Sequence, residues 1–544
     1  MLDHIDPAAI SDPTLRALVV ELLTLLNTQA THLQELRAEN QRLRDELARL
    51  KGEQGRPHIN PQAPAPNPHS SEAERRTPKQ RQPRGKQAHL TSTREEVCRC
   101  DRTTLPPDAQ FKGYEDVLVQ DLRVECDVIR FRKEKFYSPS AGQTFLAPLP
   151  AGYHGQFGPD LHAFVLSQYF GANVSQPALQ RLLGYLGLDI SRGQLAHILT
   201  DAAAPFHAES SAVLAAGLAS SFYQQADDTS TRVDGQNCVC QVLTTPAYTA
   251  YRTTDGKDRL SVVSALTDQQ PLGYRLNARV LLYLAEQGLA AKWQARLAAW
   301  PHEQVWTATE LAARFAEAAW IGLPSTQAKL LREGLALGAY QAQTAWRPVG
   351  VLLVDDAPQW RQISPELGLC WVHEGRHYKK LVPVIGYFQR ILTRFLGRFW
   401  RYYRQLQAYQ AAPDAAGAQR LRRQFRRLFD TVTTYPELNA VIERTRGKER
   451  ELLLVLKYPH LPLHNNAAEL GARVRVRKRD VSFGPRSPAG RKAWDTYMTL
   501  VETTRKLGVN CAAYVRDRLR GLGVIPRLAE LVRQKAASLN LTPA

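Results

Sequence analysis

SFYQQADDT at 221–229, NCVCQVLTT at 237–245 and AYTAYRTT at 247–254, answered later by RPVGVLLVDDAP at 347–358, decide the fold. The first three are short, strand-like runs with turn residues between them and read as three successive strands. The fourth contains VGVLLV, an uninterrupted apolar run that suits a buried strand and ends in acids. Between them, residues 259–345 turn helical and Ala/Leu-rich (LLYLAEQGLAAKWQARLAAW, ATELAARFAEAAW), and everything after 371 is mainly helical. Three strands, helices, a buried strand and more helices fit a mixed sheet covered by helices, an α/β multidomain chain.

The strand ends carry the chemistry. Asp227 and Asp228 end the first strand, and Asp355 and Asp356 end the run at 349–354. Carboxylates at the ends of neighbouring strands can converge on divalent ions that clamp the attacking and leaving oxygens of a phosphodiester. Mg²⁺ suits such a site, Mn²⁺ being the substitute, because it uses few carboxylates and keeps several waters. Either Asp pair by itself also reads as a turn or cap. The third candidate is Glu469 in LPLHNNAAELGARVRVRKRD (461–480), where Asn466 and Glu469 stand at capping-box spacing. Arg473, Arg475, Arg477, Lys478 and Arg479 follow at once and are read as a DNA-phosphate grip. His373-Glu374-Gly375-Arg376-His377 matches the H-E-x-x-H zinc pattern. No acid follows between 375 and 413 to supply a third ligand, so zinc is not expected there.

The 544 residues carry a net charge of +19, with 44% hydrophobic and 23% charged residues, the composition of a soluble multidomain protein. Residues 371–544 hold 34 Lys+Arg against 13 Asp+Glu, so a polyanion is expected to meet the C-terminal third. No apolar run is long enough for a membrane span, the first residues carry no basic secretory n-region, and seven scattered cysteines suit a reducing cytoplasm. Residues 1–51 are expected to form a coiled-coil dimerisation helix. Val19, Leu26, Leu33, Asn40 and Leu47 occupy one heptad position, and Leu15, Leu22, Gln29, Leu36, Leu43 and Leu50 the other. Residues 52–94 read as a disordered basic linker. Residues 95–150 read as a small β-rich module around VLVQDLRVECDVIRFRKEKFY, and the C-x-C spacing of Cys98 and Cys100 with a lone Cys126 argues against zinc. Residues 151–215 read as helical, either a helix-turn-helix or a plain helical hairpin.

Taken together the motifs resemble the insertion-sequence-66 transposases of the Asp-Asp-Glu class. ADDTSTRVDGQ is similar to that family's first-Asp motif, GVLLVDDAPQW to its second and CWVHEGRHYKKL to its Cys-Trp-x-His segment. HNNAAELGARVRVRKRDVSFGPRSPAGRKAWDTYMTLVETTRKLGVNCAAYVRDRL is similar to its C-terminal signature. The resemblance implies a ribonuclease-H-like catalytic domain at 216–480 with helical insertions at about 268–345 and 373–455, and a basic helical C-terminus at 481–544. It implies catalytic, metal-holding roles for Asp227, Asp355 and Glu469, with His373 and Arg376 ordering the site or the leaving strand. The implied activity is cutting transposon ends and joining the 3′-hydroxyl to target DNA. Partners would be DNA, a second or further copy of the chain and accessory transposition proteins, in the bacterial cytoplasm at the nucleoid. The sequence departs from the family at Asp228, Asp356 and Ala357, at Glu374 and His377, and in the 128 residues that separate Asp227 from Asp355. A non-catalytic, DNA-binding or domesticated descendant is the alternative.

Overall fold

A computed structural model of the chain describes residues 7–50, 91–106, 108–153 and 155–541. Its centre is a five-stranded sheet of β1 (Tyr223–Val233), β2 (Gln236–Thr245), β3 (Tyr248–Thr254), β4 (Val351–Val354) and β5 (Glu366–Leu369). The strand order is β3-β2-β1-β4-β5. β1, β2 and β3 form an antiparallel meander, and β4 and β5 add in parallel beside β1. The β1–β2 turn is Asp234-Gly235, both with positive φ (49° and 75°), as a two-residue hairpin turn requires. All four residues of β4 are buried, as expected for a parallel strand covered on both faces.

β3 is an edge strand, and its outward N–H groups need partners. The Pro488–Leu507 helix supplies them from one face. Thr503 Oγ accepts from Thr249 N at 3.3 Å, Thr499 Oγ from Tyr251 N at 3.1 Å, and Asp495 Oδ2 from Thr253 N at 2.6 Å. Positions 495, 499 and 503 recur at helical i, i+4 spacing, so one helix stripe satisfies the strand's alternate donors. The Ala204–Ala219 helix also packs on β3, and the Leu528–Ser538 helix packs on it in turn. Residues on both sides of the 216–480 span thus belong to the sheet's own covering layers.

The first insertion holds four helices, Ala278–Glu286, Ala291–Ala298, Ala308–Ala316 and Ser325–Ala342, and a short ladder of Tyr274–Arg275 with Val305–Trp306. Its core is aromatic: Trp293 stacks on Trp320 at 5.6 Å, and Trp300 meets Trp306 at 5.4 Å. Arg259, on the Arg259–Leu266 helix after β3, ties it to the body through Glu333 and, at 2.8 Å, Tyr283 Oη. The second insertion is helical too: Trp371–Lys379, Gly386–Ala411, Ala415–Phe429 and Pro436–Arg446.

Two N-terminal expectations meet the structure differently. Pro13–Leu50 is one long helix. It docks on its own chain through buried Leu23 and Asn27, and Asn27 Oδ1 accepts from Val384 N (2.9 Å) and Ile385 N (3.3 Å) at the start of the Gly386–Ala411 helix. Leu23 and Asn27 lie off the heptad seam, whose Leu15, Leu22, Leu26, Leu33, Leu36, Leu43 and Leu47 are exposed; the side chain of Leu50 and residues 51–90 of the expected linker lie outside the described residues. The 95–150 segment holds less strand than its alternation implies. Among its described residues only Lys135–Ser138 and Gln143–Leu146 pair, while 109–134 runs without a ladder. An alternating pattern states which face a strand would bury; it supplies no neighbour to bury it against. Cys98 and Cys100 are exposed.

The edge-capping helix is anchored by a buried charge pair. Arg475, fully buried, lies 3.4 Å from Asp495 and donates to Thr253 Oγ at 3.0 Å. Asp495→Ala removes both its counter-ion and the partner of Thr253 N, leaving a buried cation unpaired. The expected loss is about 3–5 kcal/mol in unfolding free energy, measured by urea titration; a loss below 1 kcal/mol would contradict this anchoring role.

Candidate active site

The parallel register sets the site. Tyr223, Gln224 and Gln225 of β1 pair with Val351, Leu352 and Leu353 of β4. The same offset carries Asp227 to the level of Asp355, just past the end of β4. Neighbouring strands lie about 4.8 Å apart, so residues far apart in sequence become neighbours. The Asn466–Ser482 helix is pinned to the same place. Asn465 Nδ2 donates to Ala226 O at 2.6 Å, and Gln225 Oε1 accepts from Ala467 N at 3.2 Å. Cys370 N, at the start of the Trp371–Lys379 helix, donates to Val354 O at 2.9 Å, and Asn465 N donates to Cys370 Sγ at 3.3 Å. Glu469 therefore sits one helical turn from β1, and His373 one turn from β4.

Within each Asp pair the partners separate the two acids. Successive strand residues point to opposite faces. Asp228 is held by Lys257 Nζ at 2.8 Å and Gln359 Nε2 at 2.8 Å. Asp356 is held by Arg361 at 2.5 Å and Lys448 at 2.7 Å. Burial alone would raise the Asp356 carboxyl, but its hydrogen bond and ion pair with Lys448, aided by Arg361, bring it below its ordinary value. Asp227 and Asp355 have no such cations: Asp227 accepts from Asp228 N at 2.8 Å, and Asp355 accepts from Trp360 Nε1 at 2.9 Å and Ala357 N at 3.2 Å. Burial, with the negative charges of Asp355, Asp228 and Glu469, pushes the Asp227 carboxyl up to about 7 against the Asp228 N–H bond. That shift places all four acids in one electrostatic neighbourhood.

Glu469 is balanced differently. Its Oε1 accepts from Arg376 at 2.9 Å and Arg473 at 3.2 Å. Burial would raise it, and the Arg376 hydrogen bond with the charges of Arg376 and Arg473 overcomes that, so the carboxyl lies below its ordinary value. Arg376 Nη1 also donates to His373 Nε2 at 2.7 Å, leaving the proton on Nδ1, which is buried without a partner. Burial and the Arg376 charge keep His373 below its ordinary pKa, a neutral imidazole. Among the described residues no three His, Cys, Asp or Glu side chains stand grouped as a metal cage. Glu374 points elsewhere, to Thr445 at 2.6 Å and Lys448 at 2.9 Å.

The basic run divides. Arg475 is buried against Asp495 and over Trp494, and Lys478 is buried over the Tyr169 ring with its ammonium on Tyr169 O. Burial, reinforced by Arg475, pulls the Lys478 ammonium down to about 7. The expectation that both grip phosphate is corrected: their side chains are committed to the interior. Arg473 faces Glu469, Arg477 is exposed, and Arg479 meets Ser230 O and Asp480.

Lys257, Trp360, Asn465 and Lys448 escaped the sequence reading. Lys257 follows Asp255-Gly256, a turn signal after the third strand that could have marked it. Burial would lower its ammonium, but its bond to Asp228 and the charges of Asp228, Asp355 and Asp227 raise it.

Residues 337–493, which contain Asp355, the Trp371–Lys379 helix and Glu469, match the family model described as Transposase IS66 family. An uncharacterized protein, y4jO of Sinorhizobium fredii (strain NBRC 101917 / NGR234), is 33% identical over 331 residues, 60% of this chain and 100% of the relative. No solved structure matches. The family match gives the class, that of transposase-family chains. The chain belongs to the IS66 transposase family.

The raised Asp227 carboxyl has a stability consequence. The native state holds a proton that the unfolded chain releases near 3.8, so stability is lost as pH rises from about 4 through about 7. Asp227→Asn, in metal-free protein, should melt higher than the parent at pH 8, with the gain shrinking toward pH 5. A gain equal at both pH values would show that Asp227 carries no such shift.

Proposed function

We propose that the chain is an Asp-Asp-Glu transposase that cuts transposon ends and joins the freed 3′-hydroxyl to target DNA. The observation that carries this reading is the placement of Asp227 and Asp355 at one level of neighbouring parallel strands, without cationic partners, beside a helix-borne Glu469. The sheet, an antiparallel meander extended by two parallel strands with helices on both sides, supports a ribonuclease-H-like reading of the core.

The donor set fits a hard divalent cation. Asp227 and Asp355 offer carboxylate oxygens, and a cation would compensate the burial and the neighbouring negative charges that raise Asp227. Mg²⁺ or Mn²⁺ held by Asp227, Asp355 and Glu469 would supply Lewis-acid activation of the attacking oxygen and charge stabilisation of the leaving one. The chain's own residues then position the substrate. Arg473 and Arg376, each partly exposed beside Glu469, are placed to take a phosphate oxygen through paired N–H groups. Arg477 and Arg479 extend that cationic edge along the helix. Lys257 contributes a further ammonium on the β3 side, oriented by Asp228. Neutral His373 holds Arg376 in place through Nε2.

The partners proposed are DNA, accessory transposition proteins and a second copy of the chain, acting at the nucleoid in the cytoplasm. The heptad seam remains exposed after the Pro13–Leu50 helix docks, which supports the second copy. Among the described residues no helix is long and apolar enough to cross a membrane.

Asp227→Ala, Asp355→Ala and Glu469→Ala should each abolish Mg²⁺-dependent nicking of a duplex carrying the element's end, while an anisotropy assay shows duplex binding retained. Undiminished nicking in any of the three removes that residue from the triad. Leu33→Glu with Leu36→Glu should halve the sedimentation mass; an unchanged mass would place self-association elsewhere.

A further inference from the structure

The strongest positive charge in the molecule lies away from the run at 473–479. Residues 375–429 contain thirteen Lys and Arg and a single acid, Asp414. That acid is occupied in its own helix cap, accepting from Gly417 N at 2.7 Å. Five of the thirteen lie on the Gly386–Ala411 helix, where Arg390, Arg394, Arg398, Arg401 and Arg404 are all exposed. Their spacings of four, four, three and three residues keep them on one helix face. At about 1.5 Å per residue the row spans roughly 21 Å. The opposite face buries Phe388, Leu392, Phe395, Phe399, Tyr402 and Leu406.

Such a row works against the helix that carries it, because like charges at i, i+4 repel by a few tenths of a kcal/mol per pair. Several other arginines are balanced: Arg426 meets Glu449, Arg361 meets Asp356 and Arg446 meets Glu443. Among the described residues Arg394, Arg398, Arg401 and Arg404 have no carboxylate or hydrogen-bond partner. Four such arginines on one face of a rigid helix fit an external polyanion with regularly spaced charges.

The helix is also fixed relative to the carboxylate site. Phe399 packs against Trp371 at 5.6 Å and Tyr378 at 5.3 Å, both on the helix that carries His373 and Arg376. Gly375 allows this contact, since a Cβ there would stand 2.7 Å from the Trp400 ring. The far end is held as well, by Asn27 on Val384 N and Ile385 N.

We propose that Arg394, Arg398, Arg401 and Arg404 form a phosphate-tracking surface that holds the backbone of a duplex DNA flank on the side of this helix turned away from Trp371 and Tyr378. This rests on the reading of the chain as a DNA transposase. Guanidinium groups grip phosphate bidentately and are weakly hydrated, which suits a sequence-independent contact. The row positions a flank of DNA; it reads no bases.

The test uses the full-length protein and a random-sequence duplex of about 40 base pairs, with affinity followed by fluorescence anisotropy between about 50 and 200 mM KCl. Each phosphate contact contributes about 0.9 to the slope of log K against log salt. The triple variant Arg394→Ala, Arg398→Ala, Arg401→Ala should lower that slope by about 2.7, and the corresponding Lys triple should restore most of it. Thermal melting reports whether each variant is folded; if the Ala triple is not, Arg398→Ala alone should lower the slope by about 0.9. An unchanged slope in a folded variant overturns the surface and leaves the transposase reading standing. Failure of the unaltered protein to bind duplex DNA overturns both.

Discussion

The site depends on one parallel pairing, β1 against β4, made by two strands that the chain separates with two more strands and a whole helical insertion. A parallel pair needs a crossover, and the cost of closing a longer one grows only slowly with length. The insertion at 268–345 is accommodated because it builds its own tryptophan core and returns the chain to the same register. A shift of one residue in that pairing would turn Asp356 or Val354 toward Asp227. It would bring an acid committed to Lys448, or no acid at all, to the place of Asp355.

The second requirement is that a helix arriving much later end up beside the same strand. Backbone groups at the sheet's exit do this. Ala226 O, Val354 O and the Gln225 side chain are bonded by Asn465, Cys370 and Ala467, so the starts of two helices are defined by the strand ends that carry the acids. The same helix reaches through the molecule with Arg475 and Lys478, whose buried cations lock it to the edge-capping helix and to Tyr169. Glu469 is thus held from both directions, by hydrogen bonds before it and buried charges after it.

That dual use explains what the sequence made legible. The strands were readable because β-branched runs and turn residues are local signals; Asp355 and Asp356 do follow the end of their strand, whereas Asp227 and Asp228, expected at a strand end, lie inside β1, which runs on to Val233 in the hairpin. The interior roles of Arg475 and Lys478 were obscured by the rule that charge runs lie in water. Helical periodicity points the other way: Ala468, Gly471, Ala472, Arg475 and Lys478 recur every three or four residues and form the buried face. The partners of Asp228 and Asp356 lie far along the chain or on another element, at Lys257 and Lys448, and no local pattern announces them. The 109–134 segment failed in the opposite sense, with a local pattern clear enough for strands and no partner strand to pair with.

On the proposed reading, charge balance around the acids separates the candidate catalytic members from the structural ones more firmly than motif register does. Six carboxylates and cations on the outer side, Asp228 with Lys257 and Asp356 with Arg361, Lys448 and Glu374, already neutralise one another. On the inner side burial, joined by the neighbouring negative charges, raises the Asp227 carboxyl, while Arg376 and Arg473 lower Glu469 against its burial. A divalent cation and a DNA phosphate differ from both arrangements in a complementary way. On the proposed reading a cation held by Asp227 would take the place of its proton, and a phosphate would give Arg376 and Arg473 another anion in place of Glu469. Each therefore lowers the electrostatic penalty for the other, and on the proposed reading the carboxylate cluster is most complete when DNA is already in place.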